Sequence, residues 1–221
     1  MNQLRSLFLI LLMGISHQVV HAQDQDLQES VHQVIDKYQE ADALKLDFEF
    51  QITFPEQDPQ IFQGTFFKRG DQYKVDLDDY AIYSDGTTQY TVQKKVKEVQ
   101  ITSIDLESVE LSSPAGILKY LHNQDFKYFD KSGLNQSSSI GSRLKIIELI
   151  PTDKSSEYFK IRFSYQDAGN ILKHVEIFAK DGQRIQLTTG ETSFSGNFSQ
   201  ESILWNDELY EDYYIEDLRI D

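Results

Sequence analysis

Histidine and carboxylate side chains are the groups in this sequence that could bind a metal ion or perform acid–base chemistry. The chain has no cysteine, which excludes cysteine nucleophiles, cysteine metal sites and disulfides. His32, His122 and His174 lie far apart in the sequence, and no pair among them has the H-x-x-x-H spacing of a zinc-binding helix. No G-x-S-x-G turn, which would present a nucleophilic serine, is present.

The densest carboxylate cluster consists of Asp76, Asp78 and Asp79. Hard oxygen ligands close in sequence could bind calcium, but the segment lacks the D-x-D-x-D-G pattern, and a solvated strand end fits it better. The acidic run 207–221 is likewise interpreted as a solvated face. We therefore expect no catalytic residue, no metal site and no cofactor, and predict that the protein is not an enzyme.

The net charge of the chain is -15, which bears on its partners. Phosphate groups repel a protein of this charge, so nucleic acid is excluded as an expected partner. Stable adsorption to an anionic membrane is disfavoured for the same reason.

The N-terminus has the pattern of a secretory signal peptide. Arg5 provides the positive charge, the apolar run Leu7–Ile15 follows, and cleavage is expected after Ala22. The apolar run is too short to span a bilayer, which needs about 20 residues. We expect residues 1–22 to be removed and residues 23–221 to form one domain in the periplasm.

Hydrophobic periodicity changes sharply near residue 45. Spacings of three and four predict a helix from Leu27 to Leu44, and strict alternation from Leu46 to Phe54 predicts a strand. Short alternating segments up to Ile101 predict an antiparallel meander. Ser113–Pro114 predicts the start of a second helix. Four further strands are predicted between residues 144 and 189. The sequence therefore predicts a mainly β fold (α+β), a barrel or a strongly curved sheet.

Aromatic residues make up 12% of the chain, and many of them occupy alternating strand positions. Such rings can fill the core of a barrel or line a cavity, and the pattern alone does not distinguish the two.

Four segments resemble the periplasmic outer-membrane lipoprotein carriers, the LolA-like family. They are residues 64–75 (GTFFKRGDQYKV), 83–99 with Ser84-Asp85-Gly86 at the turn, Ser113–Pro114 followed by Ile117–Leu118, and 175–187 around Asp181–Gly182. Their order and spacing carry the resemblance, which extends over nearly the whole mature chain. The sequence departs from the family at Gly70, where the family has proline, and at Tyr90, where it has tryptophan.

The resemblance implies an incomplete antiparallel barrel with a helical lid over a hydrophobic, acyl-binding cavity. The apolar strand faces and the lid helix supply the expected lining residues, which are Phe48, Phe50, Ile52, Phe67, Tyr73, Val75, Tyr90, Ile117, Leu118 and Leu121. Arg69 matches the arginine that holds the lid in the family. It shares a strand face with Phe67 and could donate to carbonyls at the end of a lid helix, or it could be a surface residue paired with Asp71 or Asp76.

The implied function is to bind the acyl chains of lipoproteins and to shuttle them from the inner to the outer membrane. The implied partners are lipidated proteins or other acylated cargo, an inner-membrane lipoprotein-releasing transporter and an outer-membrane acceptor, and we expect a monomer. A carrier or a sensor for another amphiphile, such as a glycolipid or a pigment, on the same half-barrel remains the alternative.

Overall fold

The computed structural model describes residues 25–104, 111, 113–134 and 144–219. The expected signal peptide, residues 1–22, lies outside this part of the chain. Neither helix of the described residues combines the length and the apolar character needed to cross a bilayer.

Two amphipathic helices pack on one face of the sheet. The described part of helix α1 covers residues 25–39, and helix α2 covers Pro114–Asn123. Val31, Val34, Ile35 and Tyr38 form the fully buried stripe of α1, as the periodicity predicts. Helix α1 ends about five residues before the predicted Leu44, because the alternating strand pattern already begins at Ala43.

The described residues form one sheet of 12 strands in the order β12-β6-β5-β4-β3-β2-β1-β11-β10-β9-β8-β7. The sheet is curved and does not close, so the predicted incomplete barrel is confirmed. The strands are β1 (Ala43–Thr53), β2 (Gln60–Arg69), β3 (Gln72–Leu77), β4 (Tyr80–Ser84), β5 (Thr88–Gln93), β6 (Glu98–Ser103), β7 (Phe126–Asp130), β8 (Leu144–Pro151), β9 (Tyr158–Gln166), β10 (Ile171–Ala179), β11 (Arg184–Ser193) and β12 (Tyr214–Asp217).

Strand β1 lies in the middle of the sheet, between β2 and β11, and its alternation defines the two faces. We call the face that carries Leu44, Leu46, Phe48 and Phe50 the inner face, because these side chains are buried under the helices. Neighbouring strands contribute residues that pair directly with them, such as Phe66 opposite Leu46. The main core is therefore the inner face together with the apolar stripes of α1 and α2.

The C-terminal segment covers part of the other face, which we call the outer face. Tyr210 packs there on Ala81, Tyr83, Val92 and Val99 in a second buried cluster. After Tyr210 the chain forms β12, which pairs in parallel with β6 at one edge of the sheet. The acidic end of the chain, expected to be a solvated face, thus contains an ordered edge strand.

Candidate functional site

A cavity of about 120 Å³ lies between the two helices and the inner face of β1 and β2. Its walls are mainly apolar and consist of Tyr38, Leu44, Leu46, Phe66, Pro114, Ala115 and Leu118, with Gln39 and Lys68 as its polar residues. The side chains of these walls are suited to contact with a hydrophobic group.

Helix α1 supplies Tyr38, which anchors the helix on the sheet. The Tyr38 hydroxyl accepts a hydrogen bond of 3.1 Å from the amide of Leu172 on β10. Burial raises the pKa of Tyr38. Its ring also meets Phe194 edge to face, with 5.2 Å between the centroids.

Helix α2 forms the other wall, and its start is fixed by local sequence. Ser113 is the N-cap, and its hydroxyl oxygen accepts a hydrogen bond of 3.1 Å from the amide of Gly116. Pro114 occupies the first turn, as predicted. This start directs Ile117, Leu118 and Leu121 towards the core, where all three are buried.

The two helices also contact each other. The rings of His32 on α1 and His122 on α2 stack with 5.5 Å between their centroids. His122 Nε2 lies 3.5 Å from a carboxylate oxygen of Asp36. The helices therefore form a joined cover over the inner face, which we call the lid.

Lys68 ties this lid to the sheet at the mouth of the cavity. Its ammonium group donates hydrogen bonds to the carbonyl oxygens of Gln39, at 2.7 Å, and Ala41, at 3.0 Å, where α1 ends. Burial lowers the pKa of Lys68, and the carboxylates of Asp71 and Asp42 partly oppose that effect. A cation at the C-terminal end of a helix also interacts favourably with the helix dipole.

Most of the residues expected to line a cavity lie on the inner face or on α2. Leu118 borders the cavity itself. Phe48, Phe50, Val75, Ile117 and Leu121 are buried in the core around it, and Ile52 and Tyr73 pack partly buried against that core. The remaining lining residues were not expected from the sequence and are Tyr38, Gln39, Leu44, Leu46, Phe66, Lys68, Pro114 and Ala115.

Phe67 and Tyr90 differ from the expectation, because the structure places both on the outer face. Phe67 pairs with Lys45, one position out of step with the Leu46–Phe66 pair that faces the cavity, and its ring contacts Phe198. Tyr90 stacks on Trp205 with 4.5 Å between the ring centroids. A shift of one residue in a strand turns a side chain to the opposite face, so neither ring can line this cavity.

Arg69 shares the outer face with Phe67, so it does not make the lid contact that the resemblance implies. Its guanidinium donates to backbone carbonyls, as expected, but these belong to Gly196 and Phe198, both at 2.9 Å. It also lies over the Phe198 ring, 5.2 Å from the centroid. Arg69 thus fastens the C-terminal segment to the outer face, and Lys68 makes the contact with the lid.

Two members of the aspartate cluster form ion pairs with lysines. Asp76 contacts both Lys74 and Lys94 at 2.8 Å, and Asp79 contacts Lys95 at 2.5 Å. Within residues 25–104, 111, 113–134 and 144–219, no group of three or more histidines and carboxylates is arranged to hold a metal ion.

The cavity is small for an acyl chain. A cavity of about 150 Å³ accommodates one benzene molecule. The space between the lid and β1–β2 therefore has room for a few methylene groups, and a longer chain requires the lid to move away from the inner face.

No protein-family model and no curated protein sequence matches this chain. Among solved structures, a LolA superfamily protein from Nitrosomonas europaea matches with a TM-score of 0.41 and 12% identity over 80% of this chain and 98% of that protein. An uncharacterised conserved protein from Thermus thermophilus matches with a TM-score of 0.52 and 6% identity over 86% of this chain and 98% of that protein. MucB matches with a TM-score of 0.50 and 11% identity over 85% of this chain and 64% of MucB.

The likenesses at 0.52 and 0.50 show that this chain shares the fold of those two proteins. The matched structures also include a putative outer-membrane lipoprotein-sorting protein domain from Vibrio parahaemolyticus, with a TM-score of 0.39 and 15% identity over 80% of this chain and 97% of that domain.

Proposed function

We propose that this chain is a non-enzymatic carrier that binds acyl chains between its lid and the inner face of its sheet. The observation that carries the proposal is the cavity itself, with apolar walls on both sides and one cation, Lys68, joining the two at its mouth. The lid is held by packing, hydrogen bonds and a ring stack, all of which can be broken and formed again.

The energetics of transfer favour such a design. An acyl chain that leaves a bilayer for water loses about 0.8 kcal/mol per CH₂ group, or about 12 kcal/mol for 16 carbons. A carrier must offset most of this cost and yet release the chain to an acceptor. A pocket that is closed by its own lid meets both needs, because closing the lid restores the buried contacts that the acyl chain displaced.

The finer proposal is a periplasmic shuttle for lipoproteins. The expected signal peptide would send the chain across the inner membrane. The donor would then be an inner-membrane lipoprotein-releasing transporter and the acceptor an outer-membrane receptor, with the carrier as a monomer. The same cavity would also suit a carrier or sensor for a glycolipid or a pigment, and cargo identity separates these possibilities.

Native mass spectrometry of the protein purified from its own host tests this proposal. We expect a fraction of the protein to carry an additional mass that equals the mass of an acylated protein. This additional mass should disappear when a detergent competes for the cavity. A glycolipid or pigment mass would support the alternative cargo. A purified protein that takes up no acylated probe, such as a fluorescent fatty acid, would contradict the carrier function altogether.

A further inference from the structure

Three cations converge on one aromatic ring on the outer face of β9, β10 and β11. Lys160 Nζ and Arg184 Cζ lie 4.1 and 4.4 Å from the centroid of the buried Phe178 ring. Arg162 Cζ lies 5.5 Å from the same centroid. Cation–π attraction holds positive charge at this place in a strongly acidic chain.

An exposed phenyl ring lies beside these cations because the strand is irregular there. Phe178 pairs with Lys160 and Ala179 pairs with Tyr158, which leaves Phe159 as an extra, unpaired residue. Such a bulge redirects a side chain. The Phe159 ring is 44% exposed, and its centroid lies 6.1 Å from that of Phe178 on the outer face.

Edge strand β7 adds a second exposed ring and a fourth cation to the same face. Phe129 pairs with Glu148, which in turn pairs with Arg162, so all three share the outer face. Phe129 is 46% exposed, and Lys127, two residues before it, is also exposed. Strands β7 and β9 are separated by one strand, and Phe159 lies three residues along β9 from Arg162, the position aligned with Phe129, so the two phenyl rings lie on the order of 14 Å apart across the sheet.

Together these side chains form what we call the outer cationic patch, which consists of Lys127, Phe129, Phe159, Lys160, Arg162 and Arg184. Two carboxylates oppose its four cations. Glu148 and Glu176 contact Arg162 at 3.2 and 3.1 Å, and Glu148 also lies 3.8 Å from Lys160. Of the described residues, no carboxylate lies within ion-pair distance of Arg184. The patch therefore keeps a positive surplus, whereas the whole chain has a net charge of -15.

We propose that the outer cationic patch docks the protein transiently on the anionic phospholipid headgroups of a bilayer. Cations next to apolar rings suit the membrane interface, where rings enter the headgroup region and each lysine or arginine is attracted by the surface potential. An acidic peptide would satisfy the cations but would leave the two phenyl rings without apolar surroundings. The acidic remainder of the chain is repelled by the same headgroups, which restricts docking to one orientation and keeps it weak.

This surface is independent of the acyl cavity, which lies on the opposite face of the sheet. The net charge of the whole chain disfavours stable adsorption to an anionic membrane. Charges more than about 10 Å apart are largely screened at 0.1 M salt, so a local surplus can act at contact distance where the total charge does not.

Vesicle co-sedimentation of the full mature chain tests the proposal. We expect binding to vesicles of mixed phosphatidylcholine and phosphatidylglycerol, little binding to pure phosphatidylcholine, and loss of binding at high salt. Arg184→Gln should lower the partition coefficient about fivefold. Phe159→Ser should lower the partition coefficient about tenfold. The loss is no larger because the ring is already half buried in the free protein, so only its exposed part can gain burial in the membrane.

Matched controls lie at other exposed positions. Leu209→Ser removes an apolar side chain that is 64% exposed, and Lys95→Gln removes an exposed cation, and both should leave vesicle binding unchanged. All four variants should still take up a fluorescent fatty acid in solution, which separates a failure of docking from a failure of the carrier function.

Equal binding to both vesicle types, or equal effects of the patch and control variants, would overturn the proposal. Binding of the wild type to poly-glutamate but not to vesicles, with the same sensitivity to Arg184→Gln, would overturn it in favour of an acidic protein partner.

Discussion

Lys68 and Arg69 are neighbours in the chain, and their side chains fasten different segments to opposite faces of the same sheet. Lys68 donates to the carbonyls of Gln39 and Ala41 and holds the end of helix α1 over the cavity. Arg69 donates to Gly196 and Phe198 and holds the C-terminal segment on the outer face. The separation follows from the strand geometry, in which successive side chains point in opposite directions.

Lys68→Met should loosen the lid. The substitution keeps an unbranched side chain but removes two hydrogen bonds from a charged donor, so local opening at the end of α1 becomes easier. We expect amide hydrogen exchange in residues 35–41 to be about tenfold faster, the equivalent of about 1.4 kcal/mol, and the uptake of a fluorescent fatty acid to be faster. Lys68→Arg, which keeps the donors, should behave like the wild type. Unchanged exchange in Lys68→Met would remove Lys68 from the lid mechanism.

Arg69→Leu should act on the C-terminal segment and not on the lid. It removes the hydrogen bonds to Gly196 and Phe198 and the contact with the Phe198 ring. We expect residues 195–203 to be cut sooner in limited proteolysis, with fatty acid affinity unchanged. Lys68→Met is the reciprocal control, since it should leave this segment protected. A slower release of acyl cargo by Arg69→Leu, without a change in proteolysis, would restore Arg69 to the lid.

Ala115→Trp should block the cavity. Ala115 is a partly buried wall residue near the start of α2, and an indole ring at this position would occupy the space between the lid and β1–β2. We expect acyl binding to fall at least tenfold while the circular dichroism spectrum and cooperative unfolding are retained. Ala168→Trp, at an exposed turn, is the control. Full acyl affinity in Ala115→Trp would show that the ligand binds elsewhere.

Asp76→Asn should change the acid stability of the protein. Burial raises the pKa of Asp76, but hydrogen bonds and charge from Lys74 and Lys94 outweigh it and hold the pKa below the usual 3.8. The carboxylate therefore stabilises the fold above pH 3.8, and this contribution is lost as the pH falls through the folded-state pKa.

In urea unfolding at neutral pH we expect Asp76→Asn to lower the free energy of unfolding by about 1 kcal/mol, a value reduced for partial exposure. The difference from wild type should vanish in strong acid. Asp79→Asn removes a more exposed ion pair and should cost less. A difference that persisted unchanged at low pH would mean that packing, not charge, explains the effect.

Export should remove the first 22 residues. The positive residue, short apolar run and small residue at Ala22 indicate cleavage there, so the protein from the periplasmic fraction should begin at Gln23. Peptide mass analysis of the purified protein measures this directly. An N-terminal peptide that includes residues before Ala22 would contradict the expected processing.

The sequence by itself determined the central strand β1, the two helices and which side chains share a face within each of them, but not strands β7 and β12. Strict alternation in β1 and the three- and four-residue spacings in α1 specify which side chains are buried together, because both periods are fixed by backbone geometry. Ser113 and Pro114 fixed the start of α2 for equally local reasons. The charge pattern was a poor guide to the fold. The acidic composition of the C-terminal segment predicted a solvated face and gave no sign of strand β12 or of the buried position of Tyr210.

Only the tertiary structure decided which face became the cavity side and which partner each polar group found. Phe66 and Phe67 are equally apolar neighbours, and the pairing of Phe66 with Leu46 placed one in the cavity wall and the other on the outer face. The same register placed Lys68 on the inner face and Arg69 on the outer face, and this register depends on contacts between strands that are distant in sequence. A local pattern is symmetric between two faces until long-range packing places helices on one of them, and for this reason the lid contact could not be assigned from the sequence alone.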